Sequence, residues 1–337
     1  MYKTLLLVLT VLYTTCNTAQ KYNRSNDIGS IDSDNTVISQ SISPEEHETS
    51  IEASMKFNME YLASDHLEGR STGTKGLEKA AVFIENFFKN SGVKPYFNTY
   101  RDTFNIKKLV GYNIIGFVEG QDVELKNEFI ILGAHYDHIG TAKVVDGDSI
   151  ANGANDDASG TVAVMEWAKY FAQNKTNKRS MLFTLFDAEE MGLKGSNHLA
   201  KRLQKEGLNL YTMINFEMIG VPRAKEETMA YITGYKKSNI PSKLNEYAGS
   251  EIIGFFSKAK EYQLFMRSDN YPFYKQFEIP AHAISTFDFT NFDYYHHVDD
   301  EADKMDYTHM ANFVKSMIPA IEGMTNSVSK EIKLNNE

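Results

Sequence analysis

Phe129-Ile-Ile-Leu-Gly-Ala-His-Tyr-Asp137 is the stretch from which the fold of this chain is read. Its first six residues are apolar or small without a break, the pattern of a strand buried on both faces. A strand that alternated between core and solvent would show polar residues at every second position. Strands buried on both faces belong in parallel sheets covered by helices. Met181-Leu-Phe-Thr-Leu-Phe186 repeats the pattern, and Met213–Phe216, Met229–Thr233 and Pro280–Ser285 are further candidate strands.

Helical stretches alternate with these runs. Leu77, Ala80, Ala81, Ile84, Phe87 and Phe88 recur at helical spacing on one face, and Gly92 closes that helix. Gly160–Gln173 and Leu193–Lys205 supply two more helices. The alternation predicts an α/β layered domain with a mainly parallel central sheet. In such sheets functional groups gather beyond the carboxyl ends of the strands.

The chemistry-bearing residues fall there. His135 and Asp137 follow the first strand, and Asn155-Asp156-Asp157 precedes the next helix. Asp187-Ala-Glu189-Glu190 ends the second strand, and Glu217 ends the third. His296-His297 lies in the aromatic loop that begins at Phe292. Imidazoles and carboxylates without a thiolate suit zinc or a neighbouring first-row divalent ion. Crowded carboxylates also need a cation to offset their repulsion. Any one group has a plainer reading, since a strand-end Asp commonly caps the helix that follows. Their joint placement at successive strand ends argues for a metal site.

Composition narrows the function further. The chain has 337 residues, 42% hydrophobic and 24% charged, and a formal charge of −10 from 35 basic and 45 acidic side chains. That is globular composition, and it lacks the basic footprint of a nucleic-acid binder. Lys3, the apolar run Leu5–Tyr13 and the small or polar residues up to Ala19 match an export signal over residues 1–19. The apolar run is shorter than the ~20 residues a transmembrane helix needs, and no later stretch is long enough. Two exits remain open: cleavage after Ala19, or a lipid anchor on Cys16. Export would place the protein in the periplasm, outside the cell, or on the outer membrane as a lipoprotein. Residues 20–44, rich in Ser, Asn and Asp, read as a disordered tether. One domain over residues 45–328 and a polar tail over 329–337 complete the division.

Five ordered motifs carry a family resemblance: Gly133-Ala-His-Tyr-Asp-His-Ile-Gly140, Asn152-Gly-Ala-Asn-Asp-Asp-Ala-Ser-Gly-Thr161, Phe186-Asp-Ala-Glu-Glu-Met-Gly-Leu193, Ile214-Asn-Phe-Glu-Met-Ile-Gly220 and Tyr295-His-His-Val-Asp-Asp300. Together with Tyr61-Leu-Ala-Ser-Asp-His-Leu-Glu-Gly-Arg70, the chain resembles the M28 family of di-zinc aminopeptidases. The resemblance implies a three-layer α/β/α sandwich with a mixed, mainly parallel sheet, two Zn²⁺ ions and peptide substrates. It implies that His135 and Glu217 ligate one zinc, that Glu190 and His296 ligate the other, and that Asp156 bridges them. It implies further that Asp137 orients His135 and that Glu189 is the general base acting on a water between the metals. Tyr295 matches an oxyanion donor in a related carboxypeptidase branch, or else packs within its loop.

The chain departs from the family at three points. Glu217 stands where the family usually has Asp, adding a methylene of reach. Asn270, in Ser268-Asp-Asn-Tyr-Pro-Phe273, stands where His is common. Cys16 is the single cysteine, so the disulfide of some members cannot form. His138, His282 and His297 lie near the site by motif, whereas His47, His66, His198 and His309 read as surface or packing residues, and Trp167 as core. Two other functions occur on this fold: glutaminyl cyclases, which use one zinc, and binding ectodomains that have lost their metals. Phe186-Asp-Ala-Glu-Glu190 and His135-Tyr-Asp-His138 differ from the cyclase counterparts and favour hydrolysis.

Overall fold

A computed structural model describes residues 44–223 and 227–336. The expected export signal, tether and Cys16 lie outside the described residues. Helix α1 (Pro44–Leu62) is followed by α2 (Lys75–Asn90), in which Thr74 caps the first turn by accepting from Leu77 N. Leu77, Ala80, Ala81, Ile84 and Phe88 are the buried face of α2, as their spacing predicts. Strands β1 (Lys94–Pro95), β2 (Arg101–Ile106), β3 (Leu109–Val118) and β4 (Phe129–His135) come next. The hairpin of β5 (Gly140–Val145) and β6 (Asp148–Ala151) precedes α3 (Ser159–Asn174) and β7 (Ser180–Phe186). Then follow α4 (Lys194–Lys205), β8 (Leu210–Glu217), β9 (Ala230–Ile232), α5 (Ile240–Ala248) and β10 (Ile253–Gly254). Helix α6 (Asn270–Phe277), β11 (Ala281–Ser285) and α7 (Tyr307–Asn326) complete the fold.

Nine of these strands form one sheet in the order β1-β3-β7-β4-β8-β11-β9-β10, with β2 also paired to β3. The central β7, β4, β8 and β11 are mutually parallel. Strand β3 runs antiparallel to β7, and β9 antiparallel to β11. The sheet is therefore mixed and mainly parallel at its centre, with helices on both faces.

Alternation along each central strand feeds two cores. Ile130, Leu132 and Ala134 of β4 join Met181, Phe183 and Leu185 of β7 beneath α1, α2, α3 and α7. Ile131, Leu182 and Phe186 point the other way, onto Leu199 and Leu203 of α4 and Phe273 of α6. Trp167 is fully buried, packs on Phe216 with ring centroids 4.2 Å apart and donates its indole N–H to Val314 O at 3.0 Å. An indole N–H buried without that acceptor would cost on the order of 1–3 kcal/mol.

The stretch after residue 328, read from sequence as a polar tail, is fastened to the domain. Ile332 is buried, its N–H donates to the Tyr211 hydroxyl, and Leu334 bridges to Ser238. Charge spacing alone concealed this, because Ile332 is a single apolar anchor among polar neighbours. Among the described residues no helix is long and apolar enough to cross a membrane.

Candidate metal centre

Strands β4, β7 and β8 end side by side, so His135, the Glu189-Glu190 turn and Glu217 emerge at one edge of the sheet. The Asp156 loop enters from the start of α3. Its main chain is held from the far side of the site: Asp300 accepts from Asn155 N at 2.7 Å and from Asp156 N at 3.1 Å.

Asp156 is the hinge of the geometry. Its Oδ1 lies 3.2 Å from His135 Nε2, and its Oδ2 lies 3.2 Å from His296 Nε2. Glu217 Oε1 is 3.2 Å from the same His135 nitrogen, and Glu190 Oε1 is 3.2 Å from the same His296 nitrogen. One aspartate thus faces two imidazole–carboxylate groups, one through each oxygen. Asp157 does different work. Its oxygens accept from Gly160 N, Met218 N and His135 N, tying α3, β8 and β4 together from within the core. A side chain at residue 160 would strike Phe216 O at 2.3 Å.

The orientation of His135 differs from expectation. Its Nδ1 meets the main-chain carbonyl of Asp137 at 3.0 Å, while the Asp137 carboxylate is 3.6 Å away, too far for a hydrogen bond. That carbonyl fixes Nδ1 as the donor and leaves Nε2 facing Asp156 and Glu217. The Asp137 carboxylate instead accepts from Glu189 N at 3.1 Å and Glu190 N at 3.4 Å, holding the turn that carries both glutamates. Ala188 sits at φ 60 and Gly192 at φ 87 within this turn, so the two glutamates diverge. Glu190 faces the imidazoles. Glu189 has its carboxyl pushed well above the ordinary range by burial, with Glu217, Asp269 and Glu190 adding to the effect against the pull of His135.

Glu217 is held by Ser268, whose hydroxyl donates to Oε2 at 2.6 Å, and Ser268 in turn accepts from Asn215 at 2.8 Å. Tyr295 stacks on His296 with ring centroids 4.0 Å apart and is half exposed at the rim. Asn270 faces away from the cluster and donates to Phe265 O and Ala281 O. His282 is a core residue on β11, bonded to Ser238 and Thr233. His297 lies against Asp299, and His198 against Asp102.

Two residues escaped the sequence reading, and a third was placed near the site without a role. Ser268 and Asp300 lie inside motifs already quoted, and their role follows only from contacts made across the fold. His138 is the third. His135, Asp156 and Glu217 form one group of potential ligand atoms, and His138, Asp156 and Glu190 form a second. Asp156 Oδ2 is buried, with His296 at 3.2 Å and His138 at 3.7 Å as its polar neighbours. His296 donates toward the Asp156 and Glu190 carboxylates, and these contacts push its pKa up to about 10, a mark of how strongly the carboxylates demand positive charge. A divalent ion would meet the same demand, and imidazole with carboxylate is a donor set that fits zinc.

Fold and site together set a candidate metal centre of imidazoles and carboxylates on an α/β/α scaffold. Residues 113–321 match the sequence model of peptidase family M28. A probable leucine aminopeptidase of Arthroderma otae is 30% identical over 200 residues, covering 57% of this chain and 48% of that protein. The LapA aminopeptidase of Legionella pneumophila shares the fold with a TM-score of 0.63 at 21% identity, over 86% of this chain and 76% of that one. A Porphyromonas gingivalis glutaminyl cyclase shares it with a TM-score of 0.62 at 17% identity, over 81% and 97%. The chain spans between 22% and 48% of the length of the first curated relatives that it matches. It belongs to peptidase family M28.

Proposed function

We propose that the chain is an exported aminopeptidase that releases N-terminal residues from peptides with two zinc ions at the Asp156 centre. The observation that carries this reading is the division of Asp156, with Oδ1 toward His135 and Glu217 and Oδ2 toward His296 and Glu190. When bound, zinc supplies Lewis acidity toward the scissile carbonyl and lowers the pKa of water toward neutrality. The protein's own groups do the rest. Glu189, whose carboxyl burial keeps ready to hold a proton, takes one from the attacking water and delivers it to the leaving amine. Tyr295 stands at the rim as the donor to the developing oxyanion. Export rests on the signal-like residues 1–19, with either Ala19 cleavage or Cys16 lipidation as the exit.

Glu189→Gln is expected to keep metal binding and to lose activity on aminoacyl chromogenic substrates by roughly 10²–10⁴-fold. Activity within a few-fold of the parent would remove Glu189 from the mechanism. A glutaminyl cyclase is the second reading, favoured by the fold shared with the Porphyromonas gingivalis enzyme. Peptides with N-terminal glutamine separate the two: release of free glutamine marks hydrolysis, and loss of ammonia with the chain intact marks cyclisation.

A further inference from the structure

One more nitrogen donor faces the Glu190 side of the centre. His138 follows β4 by three residues, and its ring is wholly enclosed, with Nε2 left without a hydrogen-bond partner. Its Nδ1 approaches Glu190 Oε1 at 3.1 Å and Asp156 Oδ2 at 3.7 Å. These are the two oxygens on which His296 Nε2 converges, each at 3.2 Å. The rings of His138 and His296 meet edge to face, with centroids 5.6 Å apart. Two imidazoles from distant parts of the sequence are thus aimed at one pair of carboxylate oxygens.

The fold goes to some length to keep His138 there. Gly153, at φ 58, leaves the room the ring occupies, since a Cβ on it would lie 2.5 Å from both Cγ and Cδ2 of His138. The buried Arg70 guanidinium donates to Tyr136 O on one loop and to Asn152 O and Gly153 O on the other. Arg70 O also receives His138 N at 3.3 Å. Leaving a buried polar group unsatisfied is costly, so a ring held this firmly, with Nδ1 aimed at two carboxylate oxygens, calls for a cation between them.

We propose that His138 is a ligand of the second metal ion, completing a donor set of His138, His296, Asp156 and Glu190. The inference rests on the two-zinc reading and deepens it. The first site, with His135, Glu217 and Asp156, has one imidazole, and the second has two. A nitrogen-richer set suits zinc and its late first-row neighbours, so chelators are expected to strip the His135 site first.

The test uses the full chain, freed of metal by dialysis against chelator and titrated with Zn²⁺ and Co²⁺. The parent is expected to bind two equivalents. His138→Ala and His138→Gln are expected to bind the first normally and the second roughly 10–100-fold more weakly. His138→Cys, made with Cys16→Ser so that it is the one thiol present, is expected to show a thiolate-to-cobalt charge-transfer band in the near ultraviolet as the second equivalent binds. Two equivalents bound by His138→Ala at parental affinity, with no such band in the Cys variant, overturn the assignment and leave the two-zinc reading standing. The assignment falls on that result even if the metal-free variants melt lower, because His138 would then have a purely structural role. A parent that binds a single ion, with an affinity indifferent to His138→Ala, overturns both.

Discussion

Ser268 shows how one side chain governs another at this centre. Glu217 carries a methylene more than the aspartate usual in the family, and that extra freedom has to be restrained if its Oε1 is to meet the ion beside His135. The Ser268 hydroxyl does so at 2.6 Å on Oε2. Ser268→Ala is expected to weaken metal affinity roughly 10–100-fold, read by competition with a chromogenic chelator, with the fold intact. Affinity equal to the parent would mean that Glu217 is set by its backbone alone. The residues that were legible in the sequence, namely His135, Asp156, Glu189, Glu190, Glu217 and His296, lie within motifs where residue type and place speak together. Ser268 and Asp300 were not, because each acquires its meaning from a partner more than fifty residues away, and His138 was placed near the site by motif without its contacts. Asp137 was legible as a participant but not in its detail: its carbonyl orients His135, and its carboxylate holds the Glu189 turn.

At the scale of elements, β4, β7 and β8 were readable because burial on both faces leaves them mostly apolar, with Ser180, Thr184, Thr212 and Asn215 as buried polar exceptions. Strand β9 falls within the candidate strand Met229–Thr233, whereas β10, of two residues, carries no period to read, and the β5–β6 hairpin pairs outside the main sheet with little apolar content. Arg70 joins elements that sequence spacing cannot connect, bonding Leu62 O at the end of α1 as well as the two site loops. Arg70→Met would strand several buried carbonyls and is expected to lower stability by about 3–5 kcal/mol in denaturant melts. A change under ~1 kcal/mol would show the loops to be self-supporting. His282 on β11 gives the fold an acid limit. Burial pulls its pKa down to about 4, from about 6.5 in the unfolded chain. The fold accepts the neutral ring, so the unfolded chain binds a proton that the native state refuses as pH falls from about 6.5 to about 4. Stability is expected to decline by up to about 3 kcal/mol over that window, and the decline should shrink by one proton's worth in His282→Asn. Equal slopes in both proteins would assign the acid sensitivity elsewhere.

For the whole molecule, the mixed sheet brings four strand ends to one edge, and two loops, from residues 152–158 and 292–300, close over it. That convergence makes a single centre out of residues spread from His135 to His296, with a donor set that fits zinc. The decisive measurement is zinc per chain by elemental analysis of the purified protein, paired with release of N-terminal residues before and after chelation. Two equivalents of zinc, with activity lost on chelation and restored by added zinc, is the predicted result. Full activity in protein stripped of metal, or no zinc bound after reconstitution, would contradict it.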